Sequence, residues 1–318
     1  MPIVLFVLKR LFAAVVIMVV VSLLVFSLLE LSPGSVLATL LGTRPSSPEV
    51  IAELTARYHL DDPFFVRYGS WLTSVLHGDF GRSTQSSDTV LGLIGDRLPV
   101  TLELAAYALV LVLVIGIPAG MLAGMRRGSR VDRGISGLTI VGMSAPGFAV
   151  GILLIYLLGV QFSLFPVFGA GNDSVVDRLS HLTLPAIALG TGLVALIVRQ
   201  TRAAAMEVMQ QDYVTFARAR GLSRRRTLVQ YALRTTALPV VTAAGLLLIV
   251  AISGTVLVEM VFSLPGVGSL MIQSVTAKDV PVVQGLALAV AAFVVLVNLL
   301  VDLLTLLIDP RTRSAAKG

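Results

Sequence analysis

The sequence contains no cysteine. Structural disulfides, thiolate metal sites, cysteine nucleophiles and the lipid-acceptor cysteine of a bacterial lipoprotein are excluded with it. Charge is scarce: Asp, Glu, Lys and Arg make up 13% of 318 residues, against roughly 25% in an ordinary soluble domain. Lysine stands only at Lys9, Lys278 and Lys317, and none precedes Ser or Thr. There is therefore no phosphate-cradling G-x-x-x-x-G-K-[ST] loop, and if ATP drives this protein, another chain binds it. The three histidines, His59, His77 and His181, show neither metal-ligand spacing nor carboxylates at helical offsets, so no metal is expected. Gly142-Met143-Ser144-Ala145-Pro146 begins like a nucleophile elbow, but Pro146 takes the place of the last glycine and no histidine lies in any apolar stretch. A serine hydrolase would lack its base.

What the chain has instead is apolar length. Hydrophobic residues reach 56% and the mean hydropathy is +0.93, more apolar surface than one aqueous domain of this size buries, so lipid is the main solvent. Six stretches are long enough to span a bilayer: Leu11 to Leu31, Thr101 to Met125, Ile135 to Phe162, Leu182 to Val198, Ala237 to Val258 and Val282 to Ile308. The first follows Lys9 and Arg10 but exceeds a signal peptide's apolar core and lacks a small-x-small cleavage site, which marks it as an uncleaved helix. Glu30, Glu103, Glu259 and Asp302 sit near span ends, so an ion-coupled transporter lacks its usual intramembrane charge.

Basic residues fix the orientation. With the N-terminus inside, one side collects Lys9, Arg10, Arg126, Arg127, Arg130, Arg133, the eight arginines from Arg199 to Arg234, Arg311, Arg313 and Lys317, 17 of the 24 cations. Both termini are then cytoplasmic, the +6 charge marks a membrane side, and no nucleic-acid partner is implied. On the opposite side the long Ser32 to Leu98 segment predicts short helices on the outer membrane face. One starts at Ser47-Pro48-Glu49, with Val50, Ile51, Leu54 and Tyr58 on one face. After Asp61-Asp62-Pro63, a second carries Phe64, Tyr68, Trp71, Leu72 and Val75 and ends at Gly78-Asp79-Phe80-Gly81, with Trp71 as an interfacial anchor.

The cytoplasmic stretch from Arg199 to Arg234 is the richest in pattern. Ala203 to Arg220 reads as helix, Gly221 closes it in the left-handed conformation, and Ser223 caps a second helix from Arg224. The elbow places Phe216, Ala217, Ala219 and Leu222 among arginines, a small apolar knob suited to a groove on a soluble partner.

Asp212-Tyr213-Val214-x-x-Ala217-Arg218-Ala219-Arg220-Gly221-Leu222-Ser223, with Pro239 eighteen residues after the glycine, resembles the coupling loop of ABC importer permeases in the form used by the peptide and nickel subfamily. Thr215-Phe216-Ala217 stands where the general motif has Glu-Ala-Ala. Further strings resemble the B-type subunit of these importers: His59-Leu60-Asp61-Asp62-Pro63, Arg67-Tyr68-x-x-Trp71-Leu72, Gly78-Asp79-Phe80-Gly81-x-Ser83 and Arg97-Leu98-Pro99-x-Thr101-Leu102. So do Glu259-x-x-Phe262-Ser263-x-Pro265-Gly266-x-Gly268 in an external loop, and Asn298-Leu299-x-Val301-Asp302-Leu303 with Asp309-Pro310-Arg311. The resemblance implies an all-α integral membrane protein with six transmembrane helices of the type I importer permease fold and a small helical external segment between the first and second spans. Residues 1–31 would be the N-terminus and first span, 32–98 the external segment, 99–310 a five-helix core with the coupling loop 199–236, and 311–318 a cytoplasmic tail.

The resemblance also implies partners: a second homologous permease, two ATP-binding cassette ATPases, separate or fused, an external substrate-binding protein and membrane lipid. ATP and Mg would sit on the ATPases and none on this chain, which would not itself be an enzyme. The setting would be a bacterial or archaeal cytoplasmic membrane and the cargo short peptides, with nickel or glutathione as alternatives and a stand-alone secondary transporter or an intramembrane enzyme as competing classes. Gly116, Gly120 and Gly124 in the second span, and Gly147 and Gly151 in the third, repeat at a spacing that permits close helix contact. Pro118 and Pro146 are packing or hinge positions. Asn298 and Asp302 share a helical face and could hold a hydrogen bond, an arginine of the long loop or substrate.

Overall fold

The structure, a computed structural model, describes residues 2–31, 37, 41, 47–57, 60–171, 174–221 and 234–308. The expected positions Tyr58, His59, Leu222, Ser223, the helix start at Arg224 and the 311–318 tail lie outside the described residues. In chain order the helices are α1 (Pro2–Leu31), α2 (Pro48–Arg57), α3 (Phe64–Leu76), α4 (Val90–Met125), α5 (Arg130–Ser144), α6 (Gly147–Leu154), α7 (Val175–Met209), α8 (Asp212–Ala219), α9 (Arg234–Val261), α10 (Val267–Thr276) and α11 (Val280–Ile308). Five of them are long and apolar enough to cross a membrane, and the bent pair from Arg130 to Gln161 makes a sixth span if it counts as one.

That pair covers the apolar stretch from Ile135 to Phe162, which the sequence marks as one span with Pro146 as a packing or hinge position. The two limbs meet at 99°. Ala145 is extended, with φ −90° and ψ 120°, because the Pro146 ring disfavours the helical conformation in the residue before it. Pro146 then opens α6, which runs on as a π-helical turn from Ile155 to Gln161.

The described residues form two compact units, Met1–Val100 with Pro265–Leu296, and Thr101–Leu264 with Val297–Gly318. In the first, α1 is apolar all round and exposes Val4, Leu8, Phe12 and Val15, as a lipid-facing helix must. Phe26 of α1 is buried against Phe64, Tyr68 and Trp71 of α3, at ring-centroid distances of 5.4, 5.6 and 5.3 Å. Each such pair contributes about 0.5–1.5 kcal/mol beyond area burial. Trp71, expected to anchor at the membrane interface, thus packs on α1. Ser47 caps α2 as its sequence predicts, its Oγ accepting from Val50 N at 3.3 Å.

A second cluster joins Val90 and Ile94 to Val267, Leu270, Val282 and Leu286. Beside it, residues 81–89 form a tight loop bound to the buried Asp279. Ser83 Oγ donates to Asp279 Oδ2 and Thr84 N donates to Oδ1 at 3.1 Å. The buried Asp279 carboxylate thereby receives two donors, as a buried carboxylate requires.

In the second unit α7 is the central strut, with α4, α5, α6 and α9 packed along it. The glycines of α4 permit the approach. A Cβ on Gly116 would lie 2.8 Å from Ile197 Cγ2, on Gly120 2.7 Å from the Val198 carbonyl, and on Gly124 2.7 Å from the Arg202 carbonyl. Gly147 faces the Ala188 carbonyl at 3.1 Å, and Gly151 faces the Phe262 ring at 2.9 Å. The small residues thus pack α4 and α6 against neighbours of the same chain, by dispersion contact between close backbones. Pro118 is accommodated within α4, which continues unbroken through it.

Candidate functional site

At its C-terminal end α7 stops earlier than the sequence predicts. Gln210 caps it, and Gln211 separates it from α8, so the expected helix from Ala203 to Arg220 is two helices. Asp212, an exposed acidic residue at the first position of α8, suits the positive end of the helix dipole. Val214 is fully buried with Met121, Ala205 and Val208, which pins α8 to the strut. Two positions on, Phe216 is 69% exposed. Ala219 and Arg220 are exposed beyond it, and Arg220 N donates to the Phe216 carbonyl at 3.0 Å to finish the turn. Tyr213, Ala217 and Arg218 lie on the same helix.

Gly221 has φ +81°, the left-handed conformation expected of it. Among the described residues no atom lies within 4 Å of the place a Cβ would take. The glycine is therefore required by backbone conformation, not by crowding.

The same end of the unit carries a buried ion pair. Ser129 caps α5 by accepting from Asp132 N at 3.2 Å, and the Asp132 carboxylate accepts from Gly128 N at 2.9 Å. Arg202 of α7 then donates twice, Nε to Oδ1 at 2.6 Å and Nη2 to Oδ2 at 2.9 Å. The Asp132 side chain is 5% exposed. The loop with Arg126, Arg127, Arg130 and Arg133 is thus tied to the helix that continues into α8. Sequence reasoning missed this pair, although a lone carboxylate among four arginines was its signal.

At the other end of α7, Arg178 Nε donates to Glu103 Oε2 of α4 at 2.6 Å, and Nη1 donates to the Ala170 and Gly171 carbonyls at 3.3 and 3.1 Å. Here the Glu103 side chain is 46% exposed. His181 Nδ1 lies 3.3 Å from Asp177 Oδ1. This corrects the reading that no histidine has a carboxylate at a helical offset. Among the described residues no three His, Cys, Asp or Glu side chains group as metal ligands.

The Glu259 string is divided between the two units. In the second, Glu259 is fully buried and accepts from Thr101 Oγ at 2.6 Å, while Phe262 fills the space beside Gly151. In the first, Gly266 N donates to Ser269 Oγ at 3.1 Å and starts α10, in which Gly268 is buried, with Pro265 exposed ahead of it. The string thus runs from the last turn of α9 through the connection into the first turn of α10. Asn298 is exposed and Asp302 half-buried on α11.

The family described as "Binding-protein-dependent transport system inner membrane component" matches residues 116–314, and its N-terminal companion, "Binding-prot-dependent transport system membrane comp, N-term", matches residues 3–105. The chain belongs to this permease family. Among its relatives, the dipeptide transport system permease protein DppB of Escherichia coli K12 is 38% identical over 333 residues, spanning 97% of this chain and 98% of that one. A protein named as a peptide transport system permease in Brucella abortus is 38% identical over 309 residues, spanning 96% and 98%. The fold is similar to that in a structure titled as an inward-facing conformation of the MetNI methionine ABC transporter. That likeness has a TM-score of 0.56 at 18% identity and covers 69% of this chain and 97% of the other. This permease therefore has the all-helical ABC importer fold that its sequence implies.

Proposed function

We propose that this permease forms half of the translocation path of a peptide importer in a bacterial cytoplasmic membrane. A second permease, two ATP-binding cassette ATPases holding ATP and Mg, and an external binding protein complete the complex. Both termini and α8 face the cytoplasm. Near-full-length similarity to proteins named for dipeptide and peptide transport supports the cargo. The orientation rests on the arginines: Arg126 to Arg133 and Arg202 meet at one end of α7, the end that continues into α8.

The observation that carries the coupling role is the split character of α8. Val214 roots it in the core while Phe216 projects, so a force on Phe216 passes to α7 and, through Arg202 and Asp132, to α5. A nucleotide-driven motor shifts the permease only if its contact with this knob differs between its two states.

Photo-crosslinking from position 216 in the complex purified with its ATPases tests the proposal. The adduct should contain the ATPase, and labelling restricted to lipid or to the binding protein would remove it. Gly221→Ile, forced into a left-handed conformation that β-branched residues resist, should leave the complex assembled and abolish the stimulation of ATP hydrolysis by peptide-loaded binding protein.

A further inference from the structure

A cavity of about 610 Å³ opens in the second unit between α4 and the N-terminal end of α7, within the size range of small-molecule sites. Its apolar wall includes Leu179 and Leu182, and its polar groups are Glu103, Tyr107, Ser174 and Arg178. Glu103 and Arg178 bring opposite charges into one small space, so the described lining residues carry a strong local dipole. Arg178 is fixed by two backbone carbonyls besides Glu103, which makes it a preorganised partner for its carboxylate.

The hydroxyls extend the pattern. Thr183 Oγ donates to the Leu179 carbonyl at 2.7 Å. Its proton is thereby committed, and in the 3.2 Å contact between the two hydroxyls Tyr107 is the donor. The Tyr107 oxygen keeps its lone pairs as acceptors. Glu103 and Tyr107, four positions apart on α4, thus present acceptors on one helical face, opposite the positive Arg178.

We propose that this cavity is a binding subsite for the zwitterionic backbone of a short peptide. Its ammonium group lies against the Glu103 carboxylate and the Tyr107 oxygen, its carboxylate lies on the Arg178 side, and side chains of varied kind rest on the leucine wall. Two extended residues span at most about 7 Å, a ligand on the scale of a cavity of about 610 Å³. A carboxylate and a guanidinium side by side favour a dipolar ligand over a simple anion or cation. The inference rests on the peptide-importer reading, under which this end of α7 faces outward and is the first surface a released peptide meets.

The test uses the assembled complex in nanodiscs without its binding protein, with 3-fluorotyrosine at position 107 as a 19F NMR reporter. Ala-Ala should shift the signal saturably. N-acetyl-Ala-Ala and Ala-Ala-amide should each bind about tenfold more weakly, the loss of one charge-assisted hydrogen bond. Glu103→Gln should weaken Ala-Ala by a similar factor and should not weaken N-acetyl-Ala-Ala, which has no ammonium to lose and whose carboxylate then meets an Arg178 relieved of its counter-charge. A silent reporter, equal affinities for free and blocked ligands, or equal weakening of both by Glu103→Gln overturns the subsite. Uptake of Ala-Ala into liposomes by the same complex, with binding protein and ATP, separates the two ideas. Uptake with a silent reporter removes the subsite and keeps the importer; a ligand-specific shift without uptake does the reverse.

Discussion

The two ends of α7 carry the same chemistry, an arginine of the strut bound to a carboxylate of a neighbouring helix, in opposite settings. Arg202 grips Asp132 with two nitrogens along one edge of its guanidinium, and the carboxylate is almost fully enclosed. Arg178 reaches Glu103 through Nε, and nearly half of that side chain is open. Twenty-four positions separate the arginines, about 36 Å along a helix, slightly more than the roughly 30 Å hydrocarbon core of a bilayer. The pairs thus stand about one bilayer thickness apart. The enclosed one joins α5 to α7 beside α8, and the open one borders the cavity between α4 and the start of α7.

The difference is one of burial, so removing one partner should separate the two ends. Asp132→Ala leaves Arg202 without its enclosed counter-charge and two bonds, a loss of about 3 kcal/mol, the lower end for buried pairs. For a unit of this size that lowers the thermal midpoint of the complex by roughly 8 °C. Differential scanning fluorimetry with a double-mutant cycle through Arg202→Ala checks it. A drop no larger than that of a surface pair would show that the enclosure is not maintained in the membrane.

The seam between α4 and α7 offers a finer comparison. Gly120 meets backbone, since a Cβ there would stand 2.7 Å from a carbonyl that cannot swing aside. Gly190 meets the Val112 methyl at 3.3 Å, which a small side-chain rotation relieves. Gly120→Ala should cost about 2 kcal/mol by overpacking. Gly190→Ala should be close to neutral, because the helix propensity gained, about 1 kcal/mol, offsets the contact. Equal melting shifts for the two variants would mean that the seam is uniformly tight.

Much of this arrangement was legible in the sequence. Apolar runs placed the spans because a bilayer requires about twenty residues and leaves no alternative to the helix for satisfying backbone groups. Local rules placed the cap at Ser47, the left-handed Gly221 and the close-packed glycines of α4. Pairings between distant segments were not legible. Asp132 with Arg202, Ser83 with Asp279 and Thr101 with Glu259 lie 70, 196 and 158 positions apart, and no periodicity in one segment encodes its partner in another. The 99° bend was foreshadowed by Pro146 but concealed by continuous hydropathy, which records solvent preference and not direction. Gln210 and Gln211 break α7 from α8 without glycine or proline, the signals on which helix ends are read.

The smallest expected effect falls at the open end. Glu103→Gln retains an acceptor for Arg178 and removes a charge that solvent already screens, so its effect on the thermal stability of the complex should be about 0.5 kcal/mol. Salt provides the sharper distinction. At about 1 M ionic strength the Debye length contracts to roughly 3 Å, and the stability difference between wild type and Glu103→Gln should disappear. The Asp132→Ala deficit should persist, because ions cannot approach an enclosed carboxylate that Arg202 and the α5 cap already surround. If instead high salt left the Glu103 difference intact, that pair would be as sealed as its counterpart, and the distinction between a rigid end and a receptive one would fail.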